Sequence, residues 1–277
     1  QGLDKFIIQK MRLKTNGDSI SKWLSILEIL KNPDKITEIA LVGKYICHQS
    51  AYESIYESLI HGGIGNNARV GVRRVESEDI EKDGAKAHLE GVKGILVPGG
   101  FGARGVEGKI AAIRYARENK IPFFGICLGM QCASIEFARN VCDLKSAYST
   151  EFDVNTPHPV ISLLEEQRNV SCKGGTMRLG SQPCIIQLGT KAFKAYGKQN
   201  ISERHRHRYE FNNKYKEMFI DNGMIFSGHS PNEQLVEIME HKDHPWFVCV
   251  QFHPEFKSKP TNPHPLFKEF IKATLVN

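Results

Sequence analysis

From residue 38 onward the chain alternates short apolar runs with amphipathic stretches. Residues 39–42 are all apolar and are followed by Gly43, the pattern of a strand buried on both faces. Tyr52, Ile55, Tyr56, Leu59 and Ile60 then share one face of a helix predicted over 51–60, which Gly62 and Gly63 are expected to end. Further strands are predicted over 70–75, 94–97 and 121–126, with helices over 106–118 and 128–139. Strands alternating with helices predict a parallel sheet covered on both faces. Beyond residue 150 the rhythm is less regular. Short strands are predicted over 160–164, 184–188, 209–211, 224–227, 235–239 and 246–252. A closing helix over 265–276 carries Leu266, Phe267, Phe270 and Ile271. The expected fold is therefore α/β and doubly wound, with a mainly parallel central sheet and antiparallel additions.

The opening segment differs. Residues 1–18 are polar and mixed, with a turn signal at Asn16-Gly17-Asp18. Ser19 is placed to cap a helix carrying Trp23, Ile26, Leu27 and Leu30, and Asn32-Pro33 stops it. Residues 1–37 read as a linker with a lead-in helix, and 38–277 as one large domain. Gln1 is not an initiator methionine, so the chain is expected to be part of something longer.

Composition narrows the classes of function. Thirty-seven basic against 31 acidic residues leave a net charge of +6 over 277 residues. That excess is too small for a nucleic-acid-binding balance but suits an anionic small molecule or an acidic partner face. No apolar run is long enough to span a membrane, and no secretory leader is visible. Seven cysteines, none in a C-x-x-C pair, point to a reducing compartment, the cytoplasm, with buried thiols. Ligand spacing for structural zinc is missing, so no metal site is expected.

Four stretches can carry chemistry. Gly125-Ile126-Cys127-Leu128-Gly129 leaves an apolar strand and opens a helix, the context of a nucleophile elbow with cysteine in place of serine. Its turn sets the Cys127 sulfur at the carboxyl edge of the sheet, over a helix N-terminus that favours a thiolate. His253-Pro254-Glu255 follows the strand predicted over 246–252. His253 is positioned to take the thiol proton and return it to a leaving group, with Glu255 holding the imidazole tautomer. The glycine-rich run 98–105 can aim backbone N–H groups into a cavity, as an oxyanion site requires, but lacks the phosphate-loop pattern. Alternation along 203–210 predicts a row of Arg204, Arg206 and Arg208 on one strand face and His205 with His207 on the other. Such a row is either a carboxylate or phosphate clamp or a solvated basic edge.

Together these residues resemble the class I glutamine amidotransferases, which share G-x-C-x-G-x-Q, met by Gly125 to Gln131, and a distant H-P-E, met by His253 to Glu255. Within that class, VPGGFGARGVEGKI (97–110), FGICLGMQ (124–131), STEFD (149–153), GGTMRLG (174–180), ERHRHRYE (203–210) and HPWFVCVQFHPEF (244–256) are similar to the glutaminase domains of CTP synthases. The likeness covers about residues 38–275 and makes 1–37 the linker leaving a synthetase domain.

The resemblance implies a thiol nucleophile at Cys127, completed by His253 and Glu255, and a γ-glutamyl thioester. It places oxyanion-binding N–H groups near Gly100 and Leu128. Gln131, Glu151 and Arg208 hold the α-amino and α-carboxylate groups of L-glutamine, with Gly100, Leu128, Gly129 and Met130 lining the site. Ammonia then passes to a synthetase domain that aminates UTP to CTP with ATP and Mg2+, under activation by GTP, in a cytoplasmic homotetramer. No cofactor is expected in this chain itself. The residues leave room for another cysteine hydrolase of the same fold, a γ-glutamyl hydrolase or a peptidase, and for a catalytically silent regulatory module. Glu151 and Arg208 discriminate, since only a free amino acid needs both α-groups gripped.

Overall fold

The computed structural model describes residues 2–14, 19–46, 48–163 and 177–276. The capping role expected of the Ser19 side chain, the turn at Asn16 to Asp18, Leu164, Cys47, Cys172 and Gly174 to Thr176 fall outside these described residues. In chain order the helices are α1 (Leu3–Met11), α2 (Ser19–Lys31), α3 (Glu53–Ile64), α4 (Ser77–Asp83), α5 (Ala85–Leu89), α6 (Val106–Glu118), α7 (Leu128–Asn140), α8 (Lys191–Tyr196), α9 (Lys216–Asp221) and α10 (Pro265–Thr274). The strands are β1 (Lys35–Gly43), β2 (Ala68–Glu76), β3 (Gly94–Val97), β4 (Phe123–Ile126), β5 (Ala147–Ser149), β6 (His158–Ser162), β7 (Arg178–Ile186), β8 (Asn200–His207), β9 (Glu210–Phe211), β10 (Met224–His229), β11 (Val236–His241) and β12 (Phe247–Val250).

Nine strands form one sheet in the order β2-β1-β3-β4-β12-β11-β10-β7-β8. The pairs from β2 to β12 are parallel and those from β12 to β8 antiparallel. This is the expected mixed sheet. A small second sheet joins β5, β6 and β9. Because successive strand residues point to opposite faces, each central strand feeds two cores. Ala40, Ile95, Phe123 and Phe247 meet Ile110, Ile113 and Phe137 of α6 and α7 on one side. Ile39, Leu96, Phe124 and Val248 meet Leu59, Phe267 and Phe270 of α3 and α10 on the other. Burial on both faces is what makes these strands continuous apolar runs in the sequence.

Three expectations change. The helix predicted over 51–60 runs on to Ile64, straight through Gly62 and Gly63. These glycines do not end it. A side chain at Gly62 would sit 2.8 Å from the Phe267 carbonyl oxygen, and one at Gly63 2.6 Å from that of Ala68, so both are sites where backbone approaches closely. The sheet begins at Lys35, inside the expected linker, because β1 pairs with β2 from Lys35↔Ala68 onward. Finally, α1, α4, α5, α8 and α9 have no counterpart in the sequence reading. They bury little that is apolar: no residue of α1, Ile80 from α4, Leu89 from α5, Ala192 from α8 and Phe219 from α9. α1 does carry an apolar stripe, Leu3, Phe6, Ile7 and Met11, but leaves it exposed, and the other four are only five to seven residues long, too short to show a 3.6-residue period.

Candidate active site

Two neighbouring parallel strands set the chemistry. β4 and β12 pair as Phe247↔Phe123 through Val250↔Ile126, so both chains leave the sheet at the same edge. The Cys127 N–H donates to the Val250 carbonyl at 2.7 Å, and the His253 N–H to that of Arg204 at 2.8 Å. Residues 126 positions apart are thereby fixed on adjacent turns.

Cys127 has φ 52° and ψ −104°, a strained geometry for a side-chain-bearing residue, and stands at the N-cap of α7. The turn carries this cysteine to the point where two cavities meet. Room for the turn comes from small neighbours. A side chain at Gly129 would lie 2.1 Å from the Val97 carbonyl oxygen, and one at Gly99 2.8 Å from His253 Cε1. His253 is buried, and its Nδ1 meets Glu255 Oε1 at 2.7 Å. Burial alone would lower its pKa, but the neighbouring Cys127 and the Glu255 carboxylate bonded to it raise it to about 10, so the charged ring is favoured beside the thiol.

Two cavities meet at Cys127. The smaller, about 250 Å3, is lined by Gly100, Gln131, Glu151, His207, Arg208 and Tyr209 among others. Its lining includes one carboxylate, one guanidinium and Cys127, the complementary charges a zwitterionic amino acid needs. Burial raises the Glu151 carboxyl above its ordinary value, against the pull of the Gly102 N–H, Arg208 and Lys44. The larger cavity, about 400 Å3, runs past Cys127, His253 and Glu255 to Lys44, Tyr45, Phe101 and Arg206. Phe101 is exposed, with the Arg206 guanidinium 5.8 Å over its ring, and its carbonyl accepts a hydrogen bond from Lys44.

The structure gathers Cys127, His253, Glu255, Gly100, Gln131, Glu151 and Arg208 around these cavities. Leu128 and Met130 send their side chains into the core beneath, Gly129 packs on Val97, and none of the three lines either cavity. The arginine row needs correction. Arg204 and Arg206 do share the exposed face of β8, but the strand ends at His207 and Arg208 lies beyond it, turned to Glu151's cavity. A row extending one residue past its strand loses the alternation that defined it.

Sequence reasoning missed what lies under the smaller cavity. Arg178 donates to Glu237 at 2.7 Å and to Glu210 at 3.2 Å, with His205 and His207 alongside, and both carboxylates and both rings are buried. Burial, with Arg178 next, drops His205 to about 2 and His207 to about 3, so both rings are neutral. Among the described residues no group of three His, Cys, Asp or Glu can hold a metal ion. The only advance signal was an unusual run of charges in a strand that alternates buried and exposed positions.

Glu210 yields a test of this cluster. Burial raises its carboxyl from 4.5 to about 8, against Arg178. Between those values folding must bind a proton here, so native stability is lost as pH rises through that window. Glu210→Gln mimics the protonated acid. It is expected to stabilise the chain by about 3 kcal/mol near neutral pH, with the gain vanishing below about pH 4.5. Urea unfolding at a series of pH values measures it, and a variant less stable than its parent near neutral pH would show that burial does not raise the Glu210 titration in the fold.

A cysteine elbow against a His-Glu pair, on this sheet, defines a class, and the family model for "Glutamine amidotransferase class-I" matches residues 49–273. The chain belongs to that family of class I glutamine amidotransferases. It is 55% identical over 275 residues to the CTP synthase of Caldanaerobacter subterraneus, covering 99% of this chain and 51% of that protein. It is 56% identical to the CTP synthase of Carboxydothermus hydrogenoformans, with the same coverage. Among solved structures it matches the Trypanosoma brucei CTPS glutaminase domain with bound acivicin, at 39% identity and a TM-score of 0.81, covering 86% of this chain and 93% of that one. Within the family the chain is thus a glutamine amidotransferase domain of the CTP synthase kind. It spans about half the length of the curated relatives it matches. No helix among the described residues is long and apolar enough to cross a membrane.

Proposed function

We propose that this chain hydrolyses the side-chain amide of L-glutamine through Cys127, His253 and Glu255. The observation that carries the reading is one cavity lined by a strained cysteine together with Glu151 and Arg208. Arg208 takes the substrate carboxylate as a fork and Glu151 its ammonium. The Cys127 sulfur attacks the amide carbon, and the oxyanion is met by backbone N–H groups at Gly100 and Leu128. His253 delivers a proton to the departing nitrogen, releasing ammonia and leaving a γ-glutamyl thioester. Water, deprotonated by the same imidazole, cleaves the thioester to glutamate and restores the thiol.

In the longer protein the ammonia serves a synthetase domain that aminates UTP to CTP. ATP and Mg2+ are held there, and the whole assembles as a cytoplasmic homotetramer. GTP, the activator, fits the mouth of the larger cavity: Phe101 and Tyr45 offer faces for a base, and Lys44 and Arg206 offer charge to phosphates. The loop from Gly99 to Gly105 forms this domain's side of a site shared with the synthetase.

The test is ammonia release from glutamine by the 277-residue chain, with and without GTP, beside a chain extended by the synthetase domain. The short chain is expected to hydrolyse glutamine slowly and respond little to GTP, because a ligand gripped from one side cannot favour a closed state. The extended chain is expected to be activated strongly. Strong activation of the short chain would place the whole GTP site within it, and no hydrolysis by either chain would overturn the proposed reaction.

A further inference from the structure

Gln251 stands two residues before His253, at the end of β12, in the middle of an otherwise apolar run. It is fully buried, and its Nε2 lies 3.6 Å from the Cys127 sulfur. An amide can present either its N–H2 or its oxygen to a neighbour, and here the surrounding bonds decide which. The Tyr209 carbonyl can only accept, and Gln131 Nε2 donates to it at 3.1 Å. The same Nε2 donates its second proton to Gln251 Oε1 at 3.2 Å. With its oxygen thus taken, Gln251 must turn its N–H2 to the sulfur. His207 Nδ1 meets the same Tyr209 carbonyl at 3.2 Å and helps hold that anchor.

We propose that Gln251 is a further catalytic residue, donating an N–H to the Cys127 sulfur, and that Gln131 is a positioning residue that acts through it. The inference rests on the proposed role of Cys127 and adds a contact to its reacting atom. A hydrogen bond to a charged form favours that form, so the Gln251 N–H stabilises the thiolate before attack and again when the thioester releases it. The relay also ties nucleophile to substrate grip. Its anchor, Tyr209, is the residue after Arg208, so movement of the carboxylate clamp is passed through two amides to the sulfur. Both amide protons of Gln131 are committed inside the protein, which leaves only its oxygen for a ligand.

The experiment is the pH dependence of Cys127 alkylation by iodoacetamide, read by peptide mass spectrometry on the 277-residue chain, together with steady-state glutamine hydrolysis. Iodoacetamide needs no amino-acid grip, so the profile reports on the thiolate alone. Gln251→Met keeps the volume and removes the donor. It is expected to move the alkylation midpoint up by about one pH unit. Its kcat should fall about tenfold, with KM changed by less than about threefold. Gln251→Glu, with an acceptor aimed at the sulfur, should move the midpoint further. Gln131→Met, which frees the Gln251 amide to turn, should give a smaller shift in the same direction and keeps the test available if Met at 251 does not fold. Midpoints within about 0.2 unit of the parent for Gln251→Glu and Gln131→Met would overturn the proposal. Failure of the underlying reading looks different: the parent itself would then hydrolyse glutamine undiminished once Cys127 is blocked.

Discussion

Cys127→Ser is expected to abolish glutamine hydrolysis, by at least about a thousandfold, while circular dichroism and thermal unfolding stay close to the parent. Serine fits the space of the thiol, so the elbow survives, but its hydroxyl is far less ionised beside the same imidazole. His253→Ala should be as severe, because it removes the proton carrier for both halves of the reaction. The raised His253 titration, to about 10, means that the ring is charged at neutral pH and ready to protonate the leaving nitrogen. Glu255→Gln should cost less, about ten- to a hundredfold, since the 2.7 Å contact to Nδ1 orients the ring without touching substrate. Ammonia release in a coupled assay measures all three. A serine variant retaining a tenth of parental activity would remove Cys127 from the mechanism, and a Glu255→Gln variant as inactive as it would give the carboxylate more than an orienting role.

Arg208→Ala is expected to raise KM for glutamine by about ten- to a hundredfold and change kcat by less than about threefold. A carboxylate clamp far from the scissile amide binds ground and transition states alike, so its loss appears in binding. Glu151 remains in the same cavity and keeps its hold on the ammonium, which limits the effect. Initial rates over a wide range of glutamine concentration separate the two parameters. Equal falls in kcat and kcat/KM at constant KM would show that Arg208 acts on the chemical step instead.

How much of this was legible in the sequence follows from the kind of force involved. The parallel half was readable because strands such as 94–97, buried on both faces, write their burial as unbroken apolar runs. Cys127 was readable because a tight strand-to-helix turn demands small residues around it. Gly62 and Gly63 misled for the same reason: closeness to Phe267 and Ala68 calls for glycine as firmly as a helix end does. The relay through Gln131 and Gln251 and the cluster around Arg178 were not legible, because both depend on partners distant in sequence. Gln251 did leave a trace, an uncharged polar residue inside an apolar strand, which is costly unless it is bonded. Arg208 was placed on a strand that does not reach it, since the end of β8 cannot be read to one residue from alternation.

The shared register of β4 and β12 also bears on how such a domain can diversify. Ile126 and Val250 are direct neighbours in the sheet, so strand spacing sets where Cys127 and His253 leave it, and within the intervening segment β8 also holds His253, through the Arg204 carbonyl. Insertions and deletions in the intervening segment that spare β8 leave Cys127 and His253 where they are. Glu151 and Arg208 have no such protection, because both lie within that segment, on turns outside the parallel strands. Changes of loop length can therefore alter which amide is admitted without altering how it is cut, and a single hydrolytic pair can be inherited unchanged by domains that have drifted to different substrates.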